Sequence, residues 1–233
     1  MKNENAKIWV VALGYWVIFG ILCTVLYPVV MSDVITRYAP MAEYFATGDF
    51  KMAFHPRFGV IFQVLSGALV WATGMGGDKA TQIVAIGFVA LSAVPIFYLM
   101  KKLFDIRIAW WSVALLLICD HCTDLGMAGF RDSGKCLALA LLAYGAVMNR
   151  PFWYGVGLFI LCTLVSYGFA AAGFLLLLWW VYCLLTDWRL VLRLISPTIM
   201  FLLGTLAVTY MTHCYTGHWL PTSNFIKVFG GWL

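Results

Sequence analysis

The chain is written in long apolar blocks separated by short polar breaks. A helix needs about 20 apolar residues to cross a bilayer. Seven blocks come near that length: residues 8–29, 80–100, 108–128, 136–148, 152–165, 169–185 and 194–212. The fourth and fifth are short and must borrow flanking residues. An eighth run, 58–73, is ambiguous. No internal repeat, low-complexity tract or soluble domain interrupts the series. The pattern predicts an all-α, polytopic membrane helical bundle of about seven transmembrane helices, with residues 1–233 forming a single transmembrane domain. The first block exceeds an ordinary signal-peptide core, and no A-x-A site follows it, so it reads as a retained anchor. Cys23 follows Leu22 rather than a small residue, which argues against a lipoprotein signal.

Basic residues decide whether run 58–73 spans, because short cytoplasmic loops are enriched in Lys and Arg. With a cytoplasmic N-terminus and run 58–73 lying along the interface, the inside holds Lys2, Lys7, Lys101, Lys102, Arg107, Arg150, Arg189 and Arg193. If the run spans, the inside holds only Lys2, Lys7, Lys79, Arg131, Lys135 and Lys227. The first choice puts all three compact basic loops inside. It also sends Asp33, Glu43, Asp49, Asp78, Asp120, Asp124 and Asp132 to the outer side. The groups capable of chemistry are therefore expected outside, with interfacial helices in a first outer loop, residues 30–79.

Composition agrees: 64% of residues are hydrophobic and 11% charged, against roughly 45–50% and about 25% in soluble domains. No soluble fold hides that much apolar surface. Aromatics such as Trp9, Trp16, Trp110, Trp111, Trp179 and Trp180 read by default as interfacial belts. A net charge of +5 spread over short loops gives no basic face for nucleic acid. Almost no charge falls inside the apolar blocks, which leaves nothing to mark an ion path. Most of the seven cysteines sit within apolar blocks, where Cys behaves as a small hydrophobe.

In the first outer loop Ser32 stands where it would cap a short helix. Asp33 and Arg37, four apart, share its face. A second short helix is expected from Pro40, at its first turn, to Gly48 as its stop. Gly48-Asp49-Phe50 and His55-Pro56-Arg57 follow, leading into run 58–73. Further on, Asp120-His121-Cys122-Thr123-Asp124 holds four residues able to bind metal. Adjacent side chains on a helix diverge, so this run reads as a polar helix end rather than a zinc site.

An acid just after the first span, an aromatic a few positions on, Gly48-Asp49, and a His55-Pro56 pair opening an apolar helix resemble the first outer loop of the GT-C superfamily of membrane glycosyltransferases. The nearest patterns are those of the protein O-mannosyltransferases and the aminoarabinose transferases of lipid A. The basic Lys101-Lys102-Leu103-Phe104 patch resembles the family's span ending, and Phe130-Arg131-Asp132 its outer Arg-Asp segment. Tyr215-Thr216-Gly217-His218 loosely resembles its Tyr-x-x-Gly segment. Order and topology carry the resemblance. The chain departs from it where the family shows adjacent acids, or an acid followed soon by Tyr: here Val34 follows Asp33 and Tyr38 comes five on.

The resemblance implies a transferase that moves a sugar from a polyprenyl-phosphate-linked donor to a hydroxyl acceptor at the outer face, with inversion. Asp33 would be the catalytic base. Arg37, Arg57, Arg131 and Lys135 would meet the phosphate, and Tyr38, Asp49, His55 and Asp132 would complete the substrate site. Relatives in the superfamily bind a divalent metal through such acids, so Asp132 with Asp33 is an alternative pairing, although no metal site is assigned. Membrane lipid, the donor and an unidentified hydroxyl acceptor are the expected partners, in a membrane such as the bacterial inner membrane. The alternative is a non-catalytic subunit of the same architecture that binds lipid or assembles with a further protein subunit.

Overall fold

In a computed structural model describing residues 2–26, 31–55, 58–164, 168–186, 192–217 and 219, the described residues form helices and turns with no strand. Helix α1 (Lys2–Leu26) precedes a π-helical turn (Val34–Tyr38), α2 (Ala39–Thr47), α3 (Phe50–Ala53) and α4 (Ile61–Thr73). Then come α5 (Gly77–Leu103), α6 (Ile106–Ile118), α7 (Asp120–Met127), α8 (Ser133–Val147), α9 (Pro151–Leu164), α10 (Gly168–Thr186) and α11 (Leu192–Thr216).

Four of these, α1, α5, α10 and α11, contain stretches long and apolar enough to cross a membrane. The pair α6 and α7, bent by 49° at Cys119, makes a fifth if it is one broken span. That falls short of the seven expected spans. Helices α8 and α9 have only 15 and 14 residues, about 22 Å at 1.5 Å per residue against roughly 30 Å of hydrocarbon. Helix α4, within run 58–73, has 13. The fold is a helical bundle compatible with an integral multi-pass membrane protein.

Burial separates the helices. Helix α5 has 67% of its most apolar window buried, whereas α1, α10 and α11 have 22%, 28% and 22%. Helix α5 is therefore the axis, and the other three turn side chains such as Val25, Val181 and Leu206 outward, a surface suited to lipid. Short α8 and α9 pack backbone to backbone. A Cβ on Gly157 would lie 2.9 Å from the Ala138 carbonyl, and one on Gly145 would collide with Tyr154, the close approach that small residues allow between membrane helices. Their turn closes through the Arg150 amide on the Gly145 carbonyl, 2.8 Å. Trp179, expected in a belt, is instead buried and stacked on Tyr154 at 4.5 Å.

The two short helices expected over residues 32–48 are one. The first amides, of Val34 and Ile35, bond the Met31 carbonyl, so Ser32 lies inside the first turn rather than at its cap. Helical geometry continues through Tyr38 and Ala39 into α2. A proline inside an α-helix clashes with the carbonyl four residues back. Here the Ala39 amide bonds Val34, five residues back, and the widened π turn lets Pro40 pass without ending the helix. Gly48 does end it, in the left-handed conformation at φ 82°.

One end of the bundle gathers these connections. The Val60 amide donates to the Thr163 carbonyl at the C-terminal end of α9, 2.6 Å. Gly59, at φ +80°, passes so close to Leu164 that any Cβ would strike its carbonyl. The Gly77 amide at the start of α5 donates to Glu43 Oε1, 2.9 Å, so Glu43 ties α2 to α5 and favours the helix N-terminus.

Candidate functional site

At that end Tyr38 is fully buried, and three rings meet it edge-on: Phe58 at 5.5 Å, Phe62 at 5.7 Å and Phe130 at 5.8 Å. Phe58 and Phe62 come from the start of run 58–73 and Phe130 from the turn after α7, and such edge-to-face pairs are favourable beyond their burial. Two guanidinium groups lie over the same Phe58 ring, Arg37 with its Cζ at 5.3 Å and Arg131 at 5.4 Å from the centroid. Arg131 also lies 5.8 Å from the Tyr38 ring. Cation–π attraction of this kind holds a guanidinium in place while its N–H donors can still meet a ligand. Burial pushes the Tyr38 phenol above its ordinary value; Arg131 and Arg37 pull against it, and Asp132 and Asp33 add to it.

The position of Arg131 follows from how α7 ends. The Gly129 amide bonds Gly126 (3.0 Å) and the Phe130 amide bonds Leu125 (2.9 Å), the two bonds of a Schellman motif. Gly129 has φ +74°, and a Cβ there would come within 3.0 Å of Thr81 Oγ1. Gln82, buried in α5, donates to the Met127 carbonyl at 2.7 Å and anchors the turn. Ser133 Oγ then donates to Phe130 O, 2.8 Å, as α8 begins. The turn leaves the Arg131 side chain 15% exposed and directs it onto the aromatic cluster.

The acids sit beside these cations. Asp33 Oδ1 accepts from Arg37 Nη1 at 3.0 Å, with both side chains 43% exposed. Asp132 Oδ1 meets Lys135 Nζ at 2.8 Å and Arg131 Nε at 4.0 Å. Next to Arg37 an open cavity of about 350 Å³ is lined by Tyr44, Met52, His55, Phe58 and Tyr215 among others. His55 packs on Phe58, 5.0 Å, and on Tyr215, 4.7 Å, so the segment just after α3 meets the C-terminal end of α11.

The structure thus brings together Asp33, Arg37, Tyr38, His55, Arg131, Asp132 and Lys135. Asp49 does something else: it caps α3, accepting from the Met52 amide at 3.2 Å, which fixes the turn that brings Met52 to the cavity wall. Arg57 and His218 lie outside the described residues. Reasoning from sequence missed Phe58 as the shared platform for two arginines. It also missed Gln82 as the anchor of the Arg131 turn. Among the described residues, no three His, Cys, Asp or Glu side chains converge to hold a metal ion. Asp33 and Asp132 each face a side-chain cation. No known protein family, curated protein or solved structure matches the chain.

Proposed function

We propose that the chain is a GT-C-like glycosyltransferase that moves a sugar from a polyprenyl-phosphate donor to a hydroxyl acceptor. In this reading the bundle makes seven crossings, with α6 and α7 as one bent span and α8 and α9 as short spans inside the bundle. The observation that carries it is the placement of Arg37 and Arg131 over one ring, Phe58, with Arg37 and Phe58 lining an open cavity and half-exposed Asp33 paired to Arg37. In the reaction the acceptor oxygen bonds to the sugar carbon while that carbon's bond to phosphate breaks. Arg37 Nη1 bonds Oδ1 of Asp33, and Oδ2 is the oxygen that would take the hydroxyl proton. The phosphate leaves with growing negative charge, which guanidinium forks stabilise by charge-assisted hydrogen bonds.

The purified full-length chain should transfer sugar from at least one member of a panel of polyprenyl-phosphate hexose donors, with product detected by mass. A second reading, a non-catalytic lipid-binding subunit, is favoured by one observation: Asp33 and Asp49 already have structural partners, an ion pair and a cap. A chain that binds a donor and transfers nothing takes that reading.

Both readings require the site to face outward. A membrane-impermeant maleimide should therefore reach Lys102→Cys only from the cytoplasmic face. Labelling of position 102 from outside would overturn the orientation and the site's access to an outer acceptor together.

A further inference from the structure

Cys119-Asp120-His121-Cys122 is a C-x-x-C sequence, and it falls where the chain bends by 49° between α6 and α7. Cys119 is the residue preceding α7, with extended backbone at φ −66° and ψ 116°. Its exposed thiol faces the backbone amides of His121 and Cys122 and the Cys122 side chain. Across the α7–α8 packing, Cys122 Sγ lies 4.0 Å from Cys136 Sγ. Cys122 therefore stands between two other thiols, one exposed and one partly buried. Three thiols in contact could instead be metal ligands, but no three His, Cys, Asp or Glu side chains converge among the described residues. Arranged in series rather than around a centre, they suit sulfur exchange.

We propose that Cys119, Cys122 and Cys136 form a thiol–disulfide exchange site that takes a low-molecular-weight disulfide at the bend between α6 and α7, where Asp120, His121 and Asp124 are exposed beside Cys119. The proposal is independent of the transferase reading. The nucleophile in such exchange is a thiolate, and amides at a helix N-terminus are donors that favour it. Cys119, exposed and facing those amides, is the attacking sulfur.

The steps balance without any other reactant. Cys119 gives its proton to solvent and attacks one sulfur of the external disulfide; the external S–S bond breaks, one thiolate leaves, and a mixed disulfide forms. Cys122, also losing its proton, attacks the Cys119 sulfur and expels the second external thiolate. Cys136 then attacks the Cys122 sulfur, its proton passing to Cys119, which leaves as a thiol. The external disulfide is reduced to two thiols, and two protein thiols are oxidised to a Cys122–Cys136 disulfide. A bond of about 2.05 Å requires the 4.0 Å separation to close by rotation about the side chains and a small shift of α7 on α8. The closed loop contains the turn that carries Phe130 and Arg131, so oxidation would also fasten that turn.

The test uses the full chain in detergent, equilibrated with an excess of oxidised over reduced glutathione, then alkylated and mapped by peptide mass. The expected wild-type product is a Cys122–Cys136 disulfide with Cys119 alkylated, and buried Cys23, Cys162 and Cys183 unmodified by glutathione. Cys122→Ser should accumulate a glutathione adduct on Cys119, because nothing resolves it. Cys119→Ser should form the Cys122–Cys136 bond at least about tenfold more slowly, since the exposed attacking thiol is gone. Each variant is compared only if its elution and melting match the wild type; otherwise the wild-type map decides alone. Three alkylated thiols in the wild type, a wild-type adduct on Cys119 as persistent as in Cys122→Ser, or an undiminished rate in Cys119→Ser would each overturn the proposal.

Discussion

Asp33→Asn is expected to lower sugar transfer by about 10² to 10⁴, the usual effect of losing a general base, while leaving the melting temperature within a few degrees of the wild type. The two parts of this expectation have separate physical sources. Asparagine keeps the size of the side chain and an oxygen that can still accept from Arg37, so the helix loses only the charged part of a pair that is 43% exposed on both sides. Exposed i,i+4 pairs contribute about 0.3–0.5 kcal/mol. The amide oxygen cannot take a proton as the acceptor hydroxyl attacks, and the chemical step slows. Asp49→Asn is the matched control: an N-cap Asn accepts from the Met52 amide about as well as Asp does, so activity should hold. If Asp33→Asn retains full transfer, Asp33 is not the base, and Asp132 becomes the acid to test. If transfer is lost in both variants equally, the effect belongs to folding of the loop rather than to proton transfer.

What could be read from the letters and what could not divides along physical lines. Apolar blocks report helices because a segment in lipid must satisfy its own backbone, and every expected span overlaps a helix. Length was less legible: runs 136–148 and 152–165 fall on helices of only 15 and 14 residues, which are apolar where they are buried within the bundle. Glycine close contacts at positions 145 and 157 let two short helices pack where full spans were expected. Gly48 was legible as a stop because a left-handed residue has a strong preference for glycine. Pro40 was not legible as an interior residue, since the rule that proline starts a helix assumes α geometry and the turn before it is π.

The candidate site was legible as charge and not as support. Asp33, Arg37, His55, Arg131, Asp132 and Lys135 each flank an apolar block, and a topology placing those flanks on one side brings them to one end of the bundle. Phe58 opens an apolar run and Gln82 sits inside another. Only the folded chain shows that one is the ring beneath two guanidiniums and the other the anchor of the α7 turn. Cys119 and Cys122 stand three residues apart in the sequence, but reading residues 120–124 as a polar helix end left that C-x-x-C pair unnoticed. The pairing of Cys122 with Cys136 depends on how α7 meets α8.

Arg131→Ala should weaken binding of a polyprenyl-phosphate donor by about 10- to 100-fold, since hydrogen bonds to charged groups contribute about 1.5–3 kcal/mol and 1.4 kcal/mol is tenfold in affinity. Stability should fall by less. The guanidinium rests on Phe58 and Tyr38, a contribution of about 0.5–2 kcal/mol, and its removal leaves the Schellman turn intact because Gly129, Phe130 and Gln82 form that turn without it. Arg131→Lys separates charge from geometry: it keeps a cation near the phosphate but loses the planar fork that stacks on the rings and grips two oxygens. Its donor affinity should fall between wild type and alanine. Donor binding followed by tryptophan fluorescence in detergent, alongside melting of the unliganded protein, distinguishes the outcomes. Reduced affinity with a nearly unchanged melting temperature supports a phosphate contact; unchanged affinity with lowered melting makes Arg131 a structural cation whose partners are the two rings and Asp132.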